Sequence, residues 1–136
     1  MHKGFLKTAF ILGAISVAMG AFGAHTLKDM VSERVLITFE TAVRYQFYHL
    51  FALLAVGILY KDFKNRFMKA AGWFFIAGIL LFSGSLYMLC YVQATVQPGY
   101  KWIGPITPLG GLCFIIGWII MFLAISKKEK SPGLPV

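Results

Sequence analysis

Four long stretches of this chain carry no charged side chain, and they constrain its fold more than any other feature. No Asp, Glu, Lys or Arg lies between Lys7 and Lys28, between Arg44 and Lys61, from Ala70 to Val92, or from Leu109 to Ser126. Each approaches or exceeds the roughly 18 apolar residues expected of a helix that crosses a bilayer. Inside lipid a segment must satisfy its backbone hydrogen bonds internally, so these stretches are read as helices. Composition agrees: 59% of the 136 residues are hydrophobic and only 13% charged, against about 25% charged in soluble domains. A soluble domain of this length could not bury so much apolar surface. The expected fold class is an all-α membrane protein, a four-transmembrane-helix bundle forming one domain over residues 1–126. Its spans are expected at about 8–24, 40–60, 70–92 and 109–126, followed by a flexible polar tail, 127–136.

Basic residues set the expected orientation. Lys3 and Lys7, then Lys61, Lys64, Arg66 and Lys69, then Lys127, Lys128 and Lys130 fall on one side of the membrane. Lys28, Arg34, Arg44 and Lys101 fall on the other. The positive-inside rule therefore places both termini and the middle loop in the cytoplasm. The first span resembles a signal peptide, with Ala21-Phe22-Gly23 a tolerable cleavage site; it is read as a retained span. The net charge of +8 flanks apolar segments, which fits anionic lipid headgroups rather than nucleic acid. Cys90 and Cys113 stand in no metal or redox motif. They are expected to be reduced and unbridged.

Between the first two spans, HTLKDMVSERVLITF places Leu27, Met30, Val31, Val35 and Phe39 near helical spacing among polar residues. This predicts a short amphipathic helix on the outer surface. Within the spans, small residues recur at helical intervals: Ala9, Gly13, Ser16, Gly20, Gly23 and Ala24; Ala71, Gly78 and Ser85; Gly110, Gly117 and Ala124. Such seams let helix backbones approach closely in lipid. Trp73 and Phe74 at one interface, and Tyr91, Tyr100 and Trp102 at the other, form the expected aromatic belts.

The second span opens with unusual polarity: FETAVRYQFYH, Phe39 to His49. About 20 residues are needed to cross, so counting back from Tyr60 draws Glu40 and Arg44 into the span and leaves His49 near mid-depth. Glu40 and Arg44 are an i, i+4 pair in the favourable order and are expected to neutralise each other as an interfacial anchor. Tyr45 and His49 form a second such pair, and Gln46 widens the polar band, most of which should face other helices. Ser83 and Ser85 in FSGSLY lie at a similar depth. Hydrogen bonds from Gln46 and His49 to these serines are one expected arrangement. His25 closes the first span at the outer rim, as a cap or a solvated group. An ionisable group near the bilayer centre is a functional candidate by default, although neutral histidine is also hydrogen-bonding glue. The candidate polar cluster is therefore His25, Glu40, Arg44, Tyr45, Gln46, His49, Ser83 and Ser85. No Ser-His-Asp set, carboxylate pair, phosphate loop or metal-ligand cluster is legible. Hence no catalytic residue, no cofactor and no metal is expected.

Three stretches, GAFGAHTLK (20–28), FETAVRYQFYHLFALL (39–54), and FSGSLY with ITPLGGLCFIIGW (82–87 and 106–118), together resemble a small membrane family. This is UPF0382, also called domain of unknown function 423, with a eukaryotic relative called transmembrane protein 256. The resemblance implies four spans and a bacterial inner-membrane location. It carries no mechanism. The residues matching its motifs are His25, Glu40, Arg44, Tyr45, Gln46, Tyr48, His49, Ser83, Ser85, Thr107 and Pro108.

Three functions compete. The first is a non-enzymatic accessory, assembly or envelope-support protein acting through helix–helix association, with membrane lipids and either a second copy or another membrane protein as partners. The second is an oligomeric transporter or permeation path using the polar band Glu40, Arg44 and His49. The third is an enzyme acting on a lipid or quinone headgroup, with His25 as acid–base group.

Overall fold

The computed structural model of the protein describes residues 1–95 and 103–126. The tail 127–136, Lys101, and the belt residues Tyr100 and Trp102 lie outside these. Among the described residues there are helices and no strands. Helix α1 spans Lys3–His25, α2 Glu33–Leu59, α3 Arg66–Gly78, α4 Gly84–Ala94 and α5 Ile106–Ser126. A π-helical turn, Ile79–Ser83, joins α3 to α4 without a break, so Arg66–Ala94 is one rod. Four helices are thus long and apolar enough to cross a membrane. At 1.5 Å per residue the shortest is about 30 Å long, which matches a hydrocarbon core.

The expected surface helix between the first two spans takes another form. Leu27–Asp29 is a single 3₁₀ turn, and Glu33 to Phe39 are the first turns of α2 itself. Of the apolar residues that suggested a separate helix, Val35 and Phe39 lie on the buried face of α2, with Leu27 and Val31 packed beside them, whereas Met30 is exposed. A segment whose apolar stripe continues in phase with the next helix gains more by extending it than by stopping, because stopping leaves backbone groups unpaired.

Helix α1 packs along α2, and α2 packs in turn on the α3–α4 rod. The rod lies against α5 through α3 and the π turn. The main core gathers Phe5 and Ala9 of α1, Leu53 and Val56 of α2, Met68, Ala71 and Phe75 of α3, and Phe114 and Met121 of α5. The small-residue seams do what their spacing predicts. Ala9, Ser16 and Gly23 of α1 are buried, as are Ala71, Gly78 and Ser85, and Gly110, Gly117 and Ala124. Three members of the first seam depart from this: a side chain at Gly13 would meet open space, Gly20 is only partly buried, and Ala24 is exposed.

Between α3 and α5 the glycines hold aromatic rings. Phe114 lies over Gly78, and Phe75 lies over Gly117, a reciprocal exchange between antiparallel helices. At Gly110 the approach is of backbone to backbone, because a Cβ would strike the main chain of Phe82 in the π turn.

Two side chains tie helix ends across the bundle. The Oδ1 of Asn65 accepts from Met68 N (2.9 Å), capping α3, while its Nδ2 donates to the Ala124 carbonyl (3.0 Å) in the last turn of α5. The ring Nδ1 of His2 accepts from Phe5 N (3.3 Å), capping α1, while its backbone N–H donates to the Gly57 carbonyl (2.8 Å) near the end of α2. Each uses one residue to satisfy groups that helix ends leave orphaned. Cys90 and Cys113 are both free thiols.

Candidate functional site

Helix α2 sorts its polar residues onto different faces. Val35, Phe39, Ala42, Gln46, His49, Leu53 and Val56 form the buried side. Glu40, Arg44 and Tyr48 point away from it and are exposed, in line with the exposed apolar residues Ile37, Phe51 and Ile58. The polar band is therefore split, because positions 40 and 49 lie half a helical turn apart in azimuth at about 100° per residue. Glu40 and Arg44 also form no ion pair: the one salt bridge among the described residues is Lys61–Asp62, at 4.0 Å. Both charges sit near the first turns of α2, where an exposed pair would gain little over solvation. They flank a shallow concavity with Gly20, Gly23, Ala24, Phe39 and Val43. His25 is exposed in the last turn of α1. It forms no side-chain hydrogen bond, ion pair or ring contact with the other described residues of the predicted cluster.

Gln46 is 3% exposed and is the hub of a three-helix polar network. Its Nε2 donates to the Ser16 hydroxyl of α1 at 2.8 Å and, at 3.4 Å, to the Leu12 carbonyl. Its Oε1 accepts from the Tyr87 hydroxyl of α4 at 3.1 Å. The Ser16 hydroxyl itself donates to the Leu12 carbonyl at 2.7 Å. Ser16 and Tyr87 escaped the sequence reading, the first because it belongs to a small-residue seam and the second because aromatic residues are common in spans. The shared depth of Gln46 and the FSGSLY motif was the signal that could have found Tyr87.

The serines use other partners than those expected. Ser83, in the π turn, donates to the Ala42 carbonyl of α2 at 2.9 Å. Ser85 meets the Thr107 hydroxyl of α5 at 2.7 Å and donates to the Phe82 carbonyl at 3.0 Å. Neither hydrogen-bonds to Gln46 or His49, because the π turn aims Ser83 at the backbone of α2 and leaves Ser85 facing α5. Cys90 completes the series with a weak bond from Sγ to the Val35 carbonyl at 3.5 Å. No buried polar side-chain atom among the described residues lacks a partner.

His49 is different in kind. The residue is 6% exposed, and its ring lies flat on Phe114, with centroids 3.4 Å apart and planes 7° from parallel. Phe75 and Trp118 approach it at about 6 Å, 6.0 and 6.3 Å between centroids, and Tyr45 stacks at 6.0 Å. The position of Phe114 follows from Gly78, whose missing side chain makes room for the ring. The Nδ1 of His49 is 2.8 Å from the Tyr45 carbonyl. A carbonyl oxygen only accepts, so Nδ1 is assigned the proton and the lone pair of the neutral ring lies on Nε2. Among the described residues nothing bonds to Nε2. That atom is not sealed in the core, since no buried polar atom is left unpaired.

His49 is also one of the residues that line a groove of about 530 Å³ between α2 and α5. Tyr45, Phe82, Phe114 and Trp118 supply aromatic walls; Pro108, Gly111 and Leu112 line it toward the start of α5. The groove thus runs along the flank of the bundle from the first turn of α5 to the level of Trp118, about halfway along that helix. No group of three or more His, Cys, Asp or Glu that could hold a metal occurs among the described residues.

Comparison with known proteins gives one consistent result. The family model described as "Protein of unknown function (DUF423)" matches residues 19–111. A UPF0382 membrane protein of Staphylococcus aureus (strain bovine RF122 / ET3-1) is 43% identical over 126 residues, covering 90% of this chain and 98% of that relative. One from Staphylococcus epidermidis (strain ATCC 12228 / FDA PCI 1200) is 40% identical over the same length and shares. One from Bacillus subtilis (strain 168) is 41% identical over 127 residues, with the same coverage. No solved structure matches the chain.

Proposed function

Starting from the fact that the chain belongs to the UPF0382 (DUF423) family of membrane proteins, whose activity is uncharacterised, we propose that it is a non-enzymatic accessory or assembly protein that works by lateral helix–helix association. One observation carries this reading. Helix α1 has two small-residue faces, and the bundle uses only one. Ala9, Ser16 and Gly23 are buried within the bundle, whereas Ala14, Ala18 and Ala21 lie on the opposite side and are exposed. Small residues four apart on a lipid-facing helix allow a second helix to approach closely. The commitment of buried polar groups to inter-helix bonds also supports a structural rather than a chemical task. The partner is a second copy or another membrane protein, in a bacterial inner membrane with both termini cytoplasmic.

Purification in mild detergent or native nanodiscs followed by native mass spectrometry tests the reading. The wild type should carry a second copy or a bound protein, and the double variant A14L/A18L should lose it while its thermal melt is unchanged. A strictly monomeric wild type would sink the idea.

One observation favours a permeation path, namely the groove that reaches His49 from the start of α5. Against it, Glu40 and Arg44 lie on another face of α2 and do not continue the groove. Proton or solute flux in liposomes that is equal for wild type and His49→Phe would remove that alternative.

A further inference from the structure

We propose that the groove between α2 and α5 binds a hydroquinone-type amphiphile: a flat ring bearing an O–H donor, carried on an apolar tail, with the O–H bonded to Nε2 of His49.

The first reason is the unused acceptor. The Tyr45 carbonyl holds the proton of His49 on Nδ1, 2.8 Å away, which leaves Nε2 as a lone pair that only a donor can satisfy. His49 as a residue is more than nine-tenths buried, and every other deeply buried polar side chain among the described residues is bonded. An acceptor opening on an apolar groove at mid-span has no water to bond, and in hydrocarbon an unmet polar group is costly. A hydrocarbon tail cannot meet it. Nor can a quinone, whose carbonyls only accept.

The second reason is shape. Tyr45 and Phe82 stack with centroids 4.5 Å apart and planes 27° from parallel. His49 and Phe114 stack at 3.4 Å and 7°. These near-parallel rings form a layered wall that suits a planar guest, since aromatic groups prefer offset stacking or edge contacts. Tyr45 is partly exposed at the same wall, and its hydroxyl has no partner among the described residues. It offers a second polar contact to a second ring oxygen. The volume of about 530 Å³ lies within the range of small-molecule sites.

The third reason is access. The groove lies on the flank of the bundle and reaches mid-span, so a guest must come from the bilayer. It must therefore be largely apolar and carry its donor inward. The proposal stands whether or not α1 recruits a protein partner.

The test uses the full-length protein in lipid nanodiscs and two tritiated probes: a short-prenyl hydroquinone kept reduced, and its dimethyl ether, which has the same ring and no donor. Equilibrium retention is measured against empty nanodiscs. The wild type should bind the hydroquinone about tenfold more tightly than the ether, the size of one good hydrogen bond in a membrane. His49→Phe should keep the weak binding and lose the preference. Gly111→Leu should lose both probes with an unchanged thermal melt, because a Cβ at Gly111 meets Phe82 only at an ordinary 3.8 Å and the rest of a leucine side chain extends into the groove that Gly111 lines. If His49→Phe fails to fold, Gly111→Leu remains decisive. Equal retention of the two probes by the wild type overturns the proposal. So does a preference that survives His49→Phe, or hydroquinone retention by a folded Gly111→Leu. Absence of retention of either probe by the wild type also overturns it, and points to a protein side chain as the occupant of the groove.

Discussion

At the scale of single residues, the polar side chains of the second span divide by what they bond to. Gln46 bonds across to α1 and α4, so it behaves as glue. Gln46→Leu leaves the Tyr87 hydroxyl without its acceptor, and should lower stability by about 1–2 kcal/mol in bilayer unfolding measurements. A double-mutant cycle between Gln46→Leu and Ser16→Ala should give a coupling of about 0.6 kcal/mol, at most roughly 1.7. A coupling of zero would mean that the 2.8 Å bond is energetically silent. His49 bonds only to its own helix and to an aromatic face, which is why it alone among the buried polar residues described has a side-chain polar atom, Nε2, with no hydrogen-bond partner. Composition and hydropathy mark both residues equally as polar groups at mid-span. They cannot tell glue from binding group, because that distinction depends on which side chains arrive from other helices.

Among the helices, the π turn and the glycines set the spacing of the α3–α4 rod against α5. A π turn holds one extra residue per turn and often marks a functional position. Here it turns Ser83 toward α2 and brings the Phe82 main chain against Gly110. Gly110→Ala must push one backbone away from another and should cost about 1–3 kcal/mol, as over-packing does. Gly84 is the matching control. It is helical, and a Cβ there meets nothing within 4 Å. Gly84→Ala should leave stability unchanged or raise it by about 0.5–1 kcal/mol. Thermal melts of the two variants side by side check this, and equal losses would contradict the assigned contact. Gly78→Leu should displace Phe114 and with it the floor beneath His49. It should therefore abolish hydroquinone binding as well as lower stability. The seven-residue spacing of Ala71, Gly78 and Ser85 is legible in the sequence, because a repeat of that period places residues on one face. The π turn is not legible, because no side chain in ILLFS demands it; it is set by the fit between the rod and its neighbours.

For the whole molecule, four spans, their order and the polar loop between the second and third follow from hydropathy alone. The expected sidedness comes instead from the distribution of Lys and Arg. Single cysteines at Lys61 and Lys28, in a background with Cys90 and Cys113 replaced, should label with a membrane-impermeant maleimide only from the inside and only from the outside, respectively. The opposite pattern would invert the assigned topology. Of the belt residues, Trp73 is exposed in the first half of the α3–α4 rod and Tyr91 near its end. The expectation of a separate surface helix failed because amphipathic periodicity does not report whether a helix is free or is the first part of a longer one.

What the sequence by itself determined is the set of helices, their approximate lengths and the faces on which small residues lie, since each of these depends on the local period of side chains and on the thickness of oil to be crossed. Only the tertiary structure decided the destinations of the polar groups: Gln46 to Ser16 and Tyr87, Ser83 to a backbone carbonyl, Glu40 and Arg44 outward, and His49 to the wall of an aromatic groove. The reason is physical. Hydrogen bonds and ring contacts form between helices far apart in the chain, and their geometry is fixed by packing, which no single helix encodes.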